Sequence, residues 1–271
     1  MRDAERRREI KDYYLGISAD EITSYLTPAS FDLWESLARY RREFRLDVRW
    51  LETGGGMGDL AAAALDRGYD VLMTDVQDEL LATAATRHPR LRGRLQRADI
   101  FDSRDVQALA SQGPFSIVAA LGAVLNHARD RKELARGFGH LVALAEPGSL
   151  LIVDLMLSEM FPGHPASIWA DILHVLPGFA DLARLIGASR LHVLETHSLY
   201  HRYPPTAVFN ADFDERMLRL VLRKPPPAAR ARAGAPVRGS RRARPGSRRR
   251  APSPSSDSTG TRRATRRRLR A

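Results

Sequence analysis

The chain has 271 residues and no cysteine. Its length accommodates one α/β domain of roughly 220 residues with a sizeable core, and the lack of cysteine excludes disulfides and thiolate metal sites. The net charge of +11 misleads, because residues 225–271 carry fifteen arginines and one acid, which leaves a charge of −3 on the other 224 residues.

The amino-terminal residues are charged and lack the apolar run of a signal peptide. No apolar stretch in the chain approaches the roughly 20 residues of a membrane span. We therefore expect a cytoplasmic protein without a membrane partner.

A helix is expected before the first strand. Thr27 can cap it, and Pro28 suits the first helical position. Apolar side chains then recur at helical spacing through Phe44, namely Phe31, Leu33, Trp34, Leu37, Ala38 and Tyr40. This pattern assigns residues 1–46 to a separate helical segment.

A strand, a glycine turn and a helix start follow one another from residue 48 to residue 65. The apolar run 48–51 leads into Glu52 and Thr53, and glycines stand at positions 54, 55, 56 and 58. Glycine allows a sharp turn and the close approach of a ligand, and a helix amino terminus offers free N–H groups. A dinucleotide fingerprint that began at Gly54 would need glycine at position 59, which is Asp59.

Four further strands are expected downstream, over 70–75, 94–98, 115–121 and 149–154. Helical patterns fill the intervals, at 57–68, 77–87, 103–111 and 130–145. Strands that alternate with helices at this spacing predict a parallel, doubly wound α/β sheet. Asp75 ends the second strand about twenty residues beyond the turn, where a carboxylate can accept both hydroxyls of a ribose.

After the fifth strand, residues 168–186 have helical character. Two alternating patterns, 191–203 and 216–222, read as strands. His197 and Tyr203 could line a substrate pocket, although a polar face on an edge strand explains them equally well.

The pattern acid-x-Gly-x-Gly-x-Gly over 52–58 resembles the first motif of the class I S-adenosylmethionine (SAM) dependent methyltransferases. The resemblance covers approximately residues 47–155. It implies a Rossmann-like, seven-stranded methyltransferase sheet over 47–224, closed by an antiparallel strand pair. It also implies that the segment 1–46 forms a helical lid over the cofactor; the alternative is that these helices cover one face of the sheet.

The resemblance assigns SAM to the ends of the first four strands. The glycine turn would approach the cofactor, Asp75 would bind its ribose and Asp99 its adenine amino group. The expected contacts are Glu52, Thr53, Gly54, Gly55, Gly56, Gly58, Asp75, Val76, Asp99, Ile100, Leu121 and Gly122. The alternatives are that Asp75 and Asp99 cap helices and that Glu52 is a solvated charge at a strand end.

His127 is the candidate general base. It belongs to a Leu-Asn-His stretch after the fourth strand, which resembles a stretch seen in small-molecule N- and O-methyltransferases. Asn126 could orient an acceptor, and Tyr13 or Tyr14 of the lid could contact the site, Tyr14 being the residue we select. Alternatively, Asn126 and His127 cap the helix that starts near Arg129.

The resemblance also bears on metals and nucleic acids. Only Asp154 is placed like the metal-binding acids of metal-dependent O-methyltransferases, so no metal is expected. Residues 120–123 lack the Asn/Asp-Pro-Pro-aromatic motif of methyltransferases that act on nucleic-acid bases.

The expected function is methyl transfer from SAM to an N or O atom of a small metabolite, such as a natural-product intermediate or an amino sugar. Residues 225–271 lack large apolar side chains and are expected to be disordered. This tail could bind nucleic acid, or it could be the out-of-frame translation of a GC-rich gene. An RNA or protein methyltransferase that uses the tail, and a SAM-binding protein without turnover, remain alternatives; a homodimer is compatible with the sequence.

Overall fold

The computed structural model describes residues 8, 32–160, 175–203 and 213–227, all within the unit that spans residues 1–228. Tyr13, Tyr14, Thr27 and the arginine-rich tail therefore lie outside the described residues. The described helices of eight or more residues are α1 (Leu33–Phe44), α2 (Asp59–Asp66), α3 (Asp78–Arg87), α4 (Ser103–Ala110), α5 (Arg131–Leu144) and α6 (Phe179–Ala188). The strands are β1 (Arg49–Thr53), β2 (Asp70–Asp75), β3 (Leu95–Arg97), β4 (Phe115–Ala120), β5 (Ala145–Leu155), β6 (His192–Tyr203) and β7 (Phe213–Arg223). Short 3₁₀ turns lie at Pro89–Leu91, Val124–His127 and Ser158–Met160.

The strands form one seven-stranded sheet in the order β3-β2-β1-β4-β5-β7-β6. Strands β1 to β5 run parallel, and β7 runs antiparallel to both of its neighbours, β5 and β6. The doubly wound sheet and its antiparallel closing pair are thereby confirmed. Because strands β1 to β5 are parallel, their carboxyl ends lie at the same edge of the sheet.

Apolar side chains bury both faces of the sheet. On one face α1, α2 and α3 pack around the fully buried Trp50. On the other face α4, α5 and α6 pack around Phe115 and Phe138. Along β5, Ile152 belongs to the first core and Val153 to the second, as the twofold periodicity of a strand requires.

Helix α1 begins later than the sequence predicted. Its cap is Asp32, not Thr27, and the Asp32 carboxylate accepts hydrogen bonds from Trp34 N at 2.9 Å and Glu35 N at 3.0 Å. The helix buries Leu33 and other apolar residues on the sheet. This packing agrees with the alternative in which a helix of the 1–46 segment covers a face of the sheet, and the lid remains a prediction for residues outside the described ranges.

The helix predicted over 168–186 is also corrected. Residues 175–178 are not helical, and α6 runs from Phe179 to Ala188. Residues 161–174 lie outside the described ranges. None of the helices in the described part of the chain is long and apolar enough to cross a membrane.

Candidate functional site

A cavity of about 580 Å³ opens at the carboxyl edge of the parallel strands. Its wall comes from the glycine turn after β1, the ends of β2 and β3, the 3₁₀ turn after β4, and the starts of α4 and α5. The predicted site residues on this wall are Thr53, Gly54, Gly56, Asp75, Val76, Asp99, Ile100 and His127. Tyr14, also predicted for the site, lies outside the described residues.

The glycine turn needs glycine for two different reasons. At Gly56 the backbone φ is +56°, and an added Cβ would meet no atom within 4 Å, so the space beside this residue is open. At Gly54, where φ is +65°, an added Cβ would lie 2.6 Å from Val124 Cγ2. A turn with positive φ at both positions suits glycine alone, and it leaves room for a ligand beside Gly56.

Asp75 ties this turn to the end of β2. Its side chain is buried, with 5 % of the residue exposed, and its Oδ2 accepts a hydrogen bond from Gly56 N at 2.9 Å. Its Oδ1 accepts one from Gln77 N at 2.9 Å. Burial raises the pKa of Asp75, against the effect of these backbone hydrogen bonds. Since a carboxylate offers about four lone-pair sites, both oxygens retain capacity for ligand hydroxyls.

Neither Asp75 nor Asp99 is a helix cap. The cap of α3 is Gln77, and the cap of α4 is Asp102, whose carboxylate accepts a hydrogen bond from Arg104 N. Asp99 lines the cavity, and its Oδ1 accepts a hydrogen bond from Phe101 N at 2.8 Å. The capping alternative is therefore wrong for both acids.

Five predicted cofactor contacts do not lie on the cavity wall. Side chains of the core occupy the space where a Cβ at Gly55 or Gly58 would project, namely Met73 at Gly55, and Leu91 and Ala84 at Gly58. Leu121 is buried in the α1 side of the core. The N–H of Gly122 donates to the Asp154 carboxylate at 3.2 Å. The fifth residue, Glu52, is buried near the end of β1.

The Glu52 side chain is not a solvated charge, because only 3 % of the residue is exposed. Burial, followed by the nearby carboxylates of Asp59 and Asp75, raises the pKa of Glu52 from its ordinary value of 4.5 to about 8. One carboxylate oxygen, Oε2, is buried without a hydrogen bond.

This raised pKa has a consequence for stability. Between about pH 4.5 and pH 8 the folded protein holds a proton on Glu52 that the unfolded chain releases. The free energy of unfolding therefore falls as the pH rises through this window. Relative to Glu52→Gln, we expect the wild-type free energy of unfolding to fall by roughly 3–4 kcal/mol from pH 5 to pH 8. Urea denaturation at several pH values measures the difference, and parallel curves for the two proteins would contradict the expectation.

The residues of the Leu-Asn-His stretch separate in the 3₁₀ turn Val124–His127. His127 is half-buried and lines the cavity. Asn126 is fully buried away from the wall; its Nδ2 donates to Met156 O at 2.9 Å and Val175 O at 2.7 Å, and its Oδ1 accepts from Met156 N at 3.0 Å. The role predicted for Asn126 in orienting an acceptor is corrected, because these bonds to distant backbone occupy its amide. Asp130, and neither Asn126 nor His127, caps α5.

The sequence analysis missed two sets of ion-paired side chains. On the cavity wall, the Glu133 carboxylate accepts hydrogen bonds from Nε and Nη2 of Arg129 and from Nη2 of Arg136. Although burial opposes it, these hydrogen bonds and charges lower the pKa of Glu133. Behind Gly122, Arg219 pairs with Asp154 through two hydrogen bonds of 2.8 Å. The spacing of Glu133 four residues after Arg129 was visible in the sequence, whereas the Asp154–Arg219 contact joins residues 65 apart.

In the described ranges, no three His, Asp or Glu side chains group closely enough to hold a metal ion.

Comparison with known proteins places the fold. No family model and no curated protein sequence matches the chain. Among solved structures, a magnesium protoporphyrin IX methyltransferase from Synechocystis PCC 6803, crystallised with bound S-adenosylhomocysteine (SAH), has a TM-score of 0.52 at 13 % identity and aligns over 80 % of this chain and 99 % of its own.

Two further solved structures are similar. A SAM-dependent methyltransferase from Methanosarcina mazei has a TM-score of 0.52 at 15 % identity, over 72 % of this chain and 100 % of its own. A protein described as converting a disulfide bond into a thioacetal group during echinomycin biosynthesis has a TM-score of 0.50 at 14 % identity, over 70 % of this chain and 81 % of its own. The chain therefore has the fold of the class I SAM-dependent methyltransferases, as its glycine motif predicted.

Proposed function

We propose that this protein is an enzyme that transfers a methyl group from SAM to an N or O atom of a small molecule. The observation that carries the proposal is the contact between Asp75 and Gly56. It sets a buried carboxylate beside a glycine turn with open space, at the carboxyl edge of a methyltransferase fold.

The residues of the cavity fit SAM. The carboxylate oxygens of Asp75 have acceptor capacity for the ribose hydroxyls, and the second acid, Asp99, lies at the end of β3 where an adenine amino group can donate to it. Gly56 leaves the space that a ligand backbone needs. The cavity of about 580 Å³ falls within the usual range for small-molecule sites.

SAM supplies a methyl group activated on a sulfonium. The protein's contribution is to place the acceptor in line with this group and to exclude water. His127, half-buried on the same wall, can take a proton from an acceptor hydroxyl or ammonium group.

Three observations favour a small acceptor. The site is a cavity, and Glu133 and its two arginines form part of its wall. Residues 1–224 carry a charge of −3, which disfavours binding to nucleic acid. The solved relatives include proteins described as acting on magnesium protoporphyrin IX and in echinomycin biosynthesis.

Calorimetry with SAH tests the cofactor assignment. Asp75→Ala should weaken SAH binding by about 1–3 kcal/mol, because a charged acceptor of hydrogen bonds is lost. Asp70→Ala is the matched control, since Asp70 stands exposed at the opposite end of β2 and pairs with Arg94; it should bind SAH like the wild type. A folded wild type that does not bind SAH would reject the proposal.

Removal of residues 225–271 tests the class of acceptor. If the acceptor is small, the shortened protein should retain methyl transfer to small molecules from an extract. Methyl transfer only to RNA or protein, lost on removal of the tail, would overturn the small-molecule assignment while leaving SAM binding in place.

A further inference from the structure

Three arginines line the cavity: Arg104 at the start of α4, Arg129 just before α5 and Arg136 within α5. Arg129 follows the candidate base His127 by two residues, which keeps their Cα atoms within about 7.6 Å of each other. Residues 1–224 as a whole carry a charge of −3. Positive groups therefore collect on the wall of the site in a part of the chain that is acidic overall.

The buried acid Glu133 fixes two of these arginines. Its Oε1 accepts hydrogen bonds from Arg129 Nη2 at 2.6 Å and from Arg136 Nη2 at 2.9 Å. Although burial opposes ionisation, the bonds from Arg129 and the charges of both arginines lower the pKa of Glu133. The Glu133 side chain is only 8 % exposed, whereas those of Arg129 and Arg136 are 59 % and 45 % exposed. The acid thus holds two guanidinium groups that stay accessible from the cavity.

The third arginine stands on the segment that Arg136 contacts. Arg136 Nε donates to Phe101 O at 3.3 Å, and no hydrogen bond to a described residue uses its Nη1. Arg104 lies three residues after Phe101, and its side chain makes no hydrogen bond or ion pair with the described part of the chain. A guanidinium presents a planar fork of N–H donors that matches a carboxylate or a phosphate. Donors of this kind therefore stand available on the cavity wall.

The acids on the wall do not cancel these charges. Asp75 and Asp99 are proposed to bind the cofactor, and Asp102 caps α4 by accepting a hydrogen bond from Arg104 N at 2.7 Å. Apart from the two cofactor acids, only Asp102 and Glu133 oppose the three arginines among the described residues of the wall. This part of the wall keeps a net charge of +1.

We propose, building on the proposed function, that the methyl acceptor carries an anionic group, a carboxylate or a phosphate, which Arg104, Arg129 and Arg136 bind. Glu133 is then a positioning residue, which orients two arginines without touching the acceptor. Guanidinium groups that are held before binding lose little rotamer freedom when the anion arrives, so this arrangement favours recognition. Because Arg129 adjoins His127, the anionic group and the methylated N or O atom belong to the same small molecule.

The experiment uses the full chain saturated with SAH, after calorimetry has verified that SAH binds. Benzoate, phenyl phosphate and the uncharged benzamide are titrated as probes and followed by ligand-observed NMR. One of the two anions should bind at least roughly tenfold more tightly than benzamide, because hydrogen bonds between charged groups are the stronger ones. The tighter of the two anions identifies the group as a carboxylate or a phosphate.

Two outcomes of this titration separate the inference from the proposed function. Anions that bind no more tightly than benzamide to the SAH-loaded protein would overturn the inference and leave the proposed function intact. A folded protein that does not bind SAH would instead reject the proposed function, and this inference with it.

Two arginine variants locate the anion. Arg104→Gln and Arg136→Gln should each reduce the preference for the anion over benzamide by up to about tenfold, with unchanged affinity for SAH. An unchanged preference in both variants would overturn the inference. Weaker SAH binding in either variant would assign that arginine to the cofactor and overturn its role toward the acceptor.

Arg131→Gln is the matched control. Arg131 is exposed at the start of α5, lies outside the cavity wall and pairs with Asp181, so its replacement removes the same charge from the same helix. This variant should keep the wild-type preference for the anion. An equal loss of preference in Arg131→Gln would show that the overall charge attracts the probes, and it would overturn the assignment to the cavity arginines.

Discussion

Replacement of His127 with alanine should lower the rate of methyl transfer by roughly 10²–10⁴-fold, which is the usual contribution of a positioned general base. The ring lies on the cavity wall in the 3₁₀ turn after β4, on the same wall as the residues proposed to bind the cofactor. Affinity for SAH should change little, because the residues proposed to bind the cofactor are the glycine turn and Asp75, not His127. Turnover with a small acceptor and calorimetry with SAH measure the two effects separately.

The control for this variant is His192→Ala. His192 is exposed at the start of β6 and lies outside the cavity wall, so its loss should leave turnover unchanged. Near-normal turnover of His127→Ala would show that the acceptor needs no base and that placement alone accelerates the reaction. A large loss of SAH affinity in His127→Ala would instead assign the ring to cofactor binding.

The fold could be predicted from the sequence because most of its strands are recognisable from runs of neighbouring residues. Strand β2 has the predicted bounds, 70–75, since a buried parallel strand is a continuous apolar run that ends in polar residues. The antiparallel pair β6–β7 was visible as two alternating patterns. The start of α1 was misplaced although the sequence carries a second capping signal: Asp32 followed by Glu35 has the capping spacing, and it competes with Thr27.

The site could be predicted only where a residue's role depends on its position at a strand end. Asp75 and Asp99 met that condition and line the cavity. Asn126 did not, because its partners Met156 and Val175 lie 30 and 49 residues away. The burial of Glu52 was equally hidden, since an acid at a strand end faces solvent or core according to which helices cover it.

The pair Asp154–Arg219 has the largest expected effect on stability. Both residues are completely buried, and the guanidinium Nε and Nη2 donate to the two carboxylate oxygens at 2.8 Å each. Arg219→Met should lower the free energy of unfolding by about 3–5 kcal/mol, because it leaves an uncompensated carboxylate in the core. Arg94→Met is the matched control; it removes a half-buried arginine whose partner, Asp70, is exposed, and it should cost less than about 1 kcal/mol.

The double variant Asp154→Leu with Arg219→Met separates stability from function. Replacing both charges with apolar side chains should restore most of the stability, since the cost of dehydrating two ions disappears with them. The Asp154→Leu change also removes the carboxylate that accepts a hydrogen bond from Gly122 N. Gly122 begins the segment that leads to His127. Urea denaturation should therefore show recovery while turnover stays low. Recovery of both would show that the pair stabilises the sheet alone, and a stable Arg219→Met single variant would contradict the expected cost of breaking the pair.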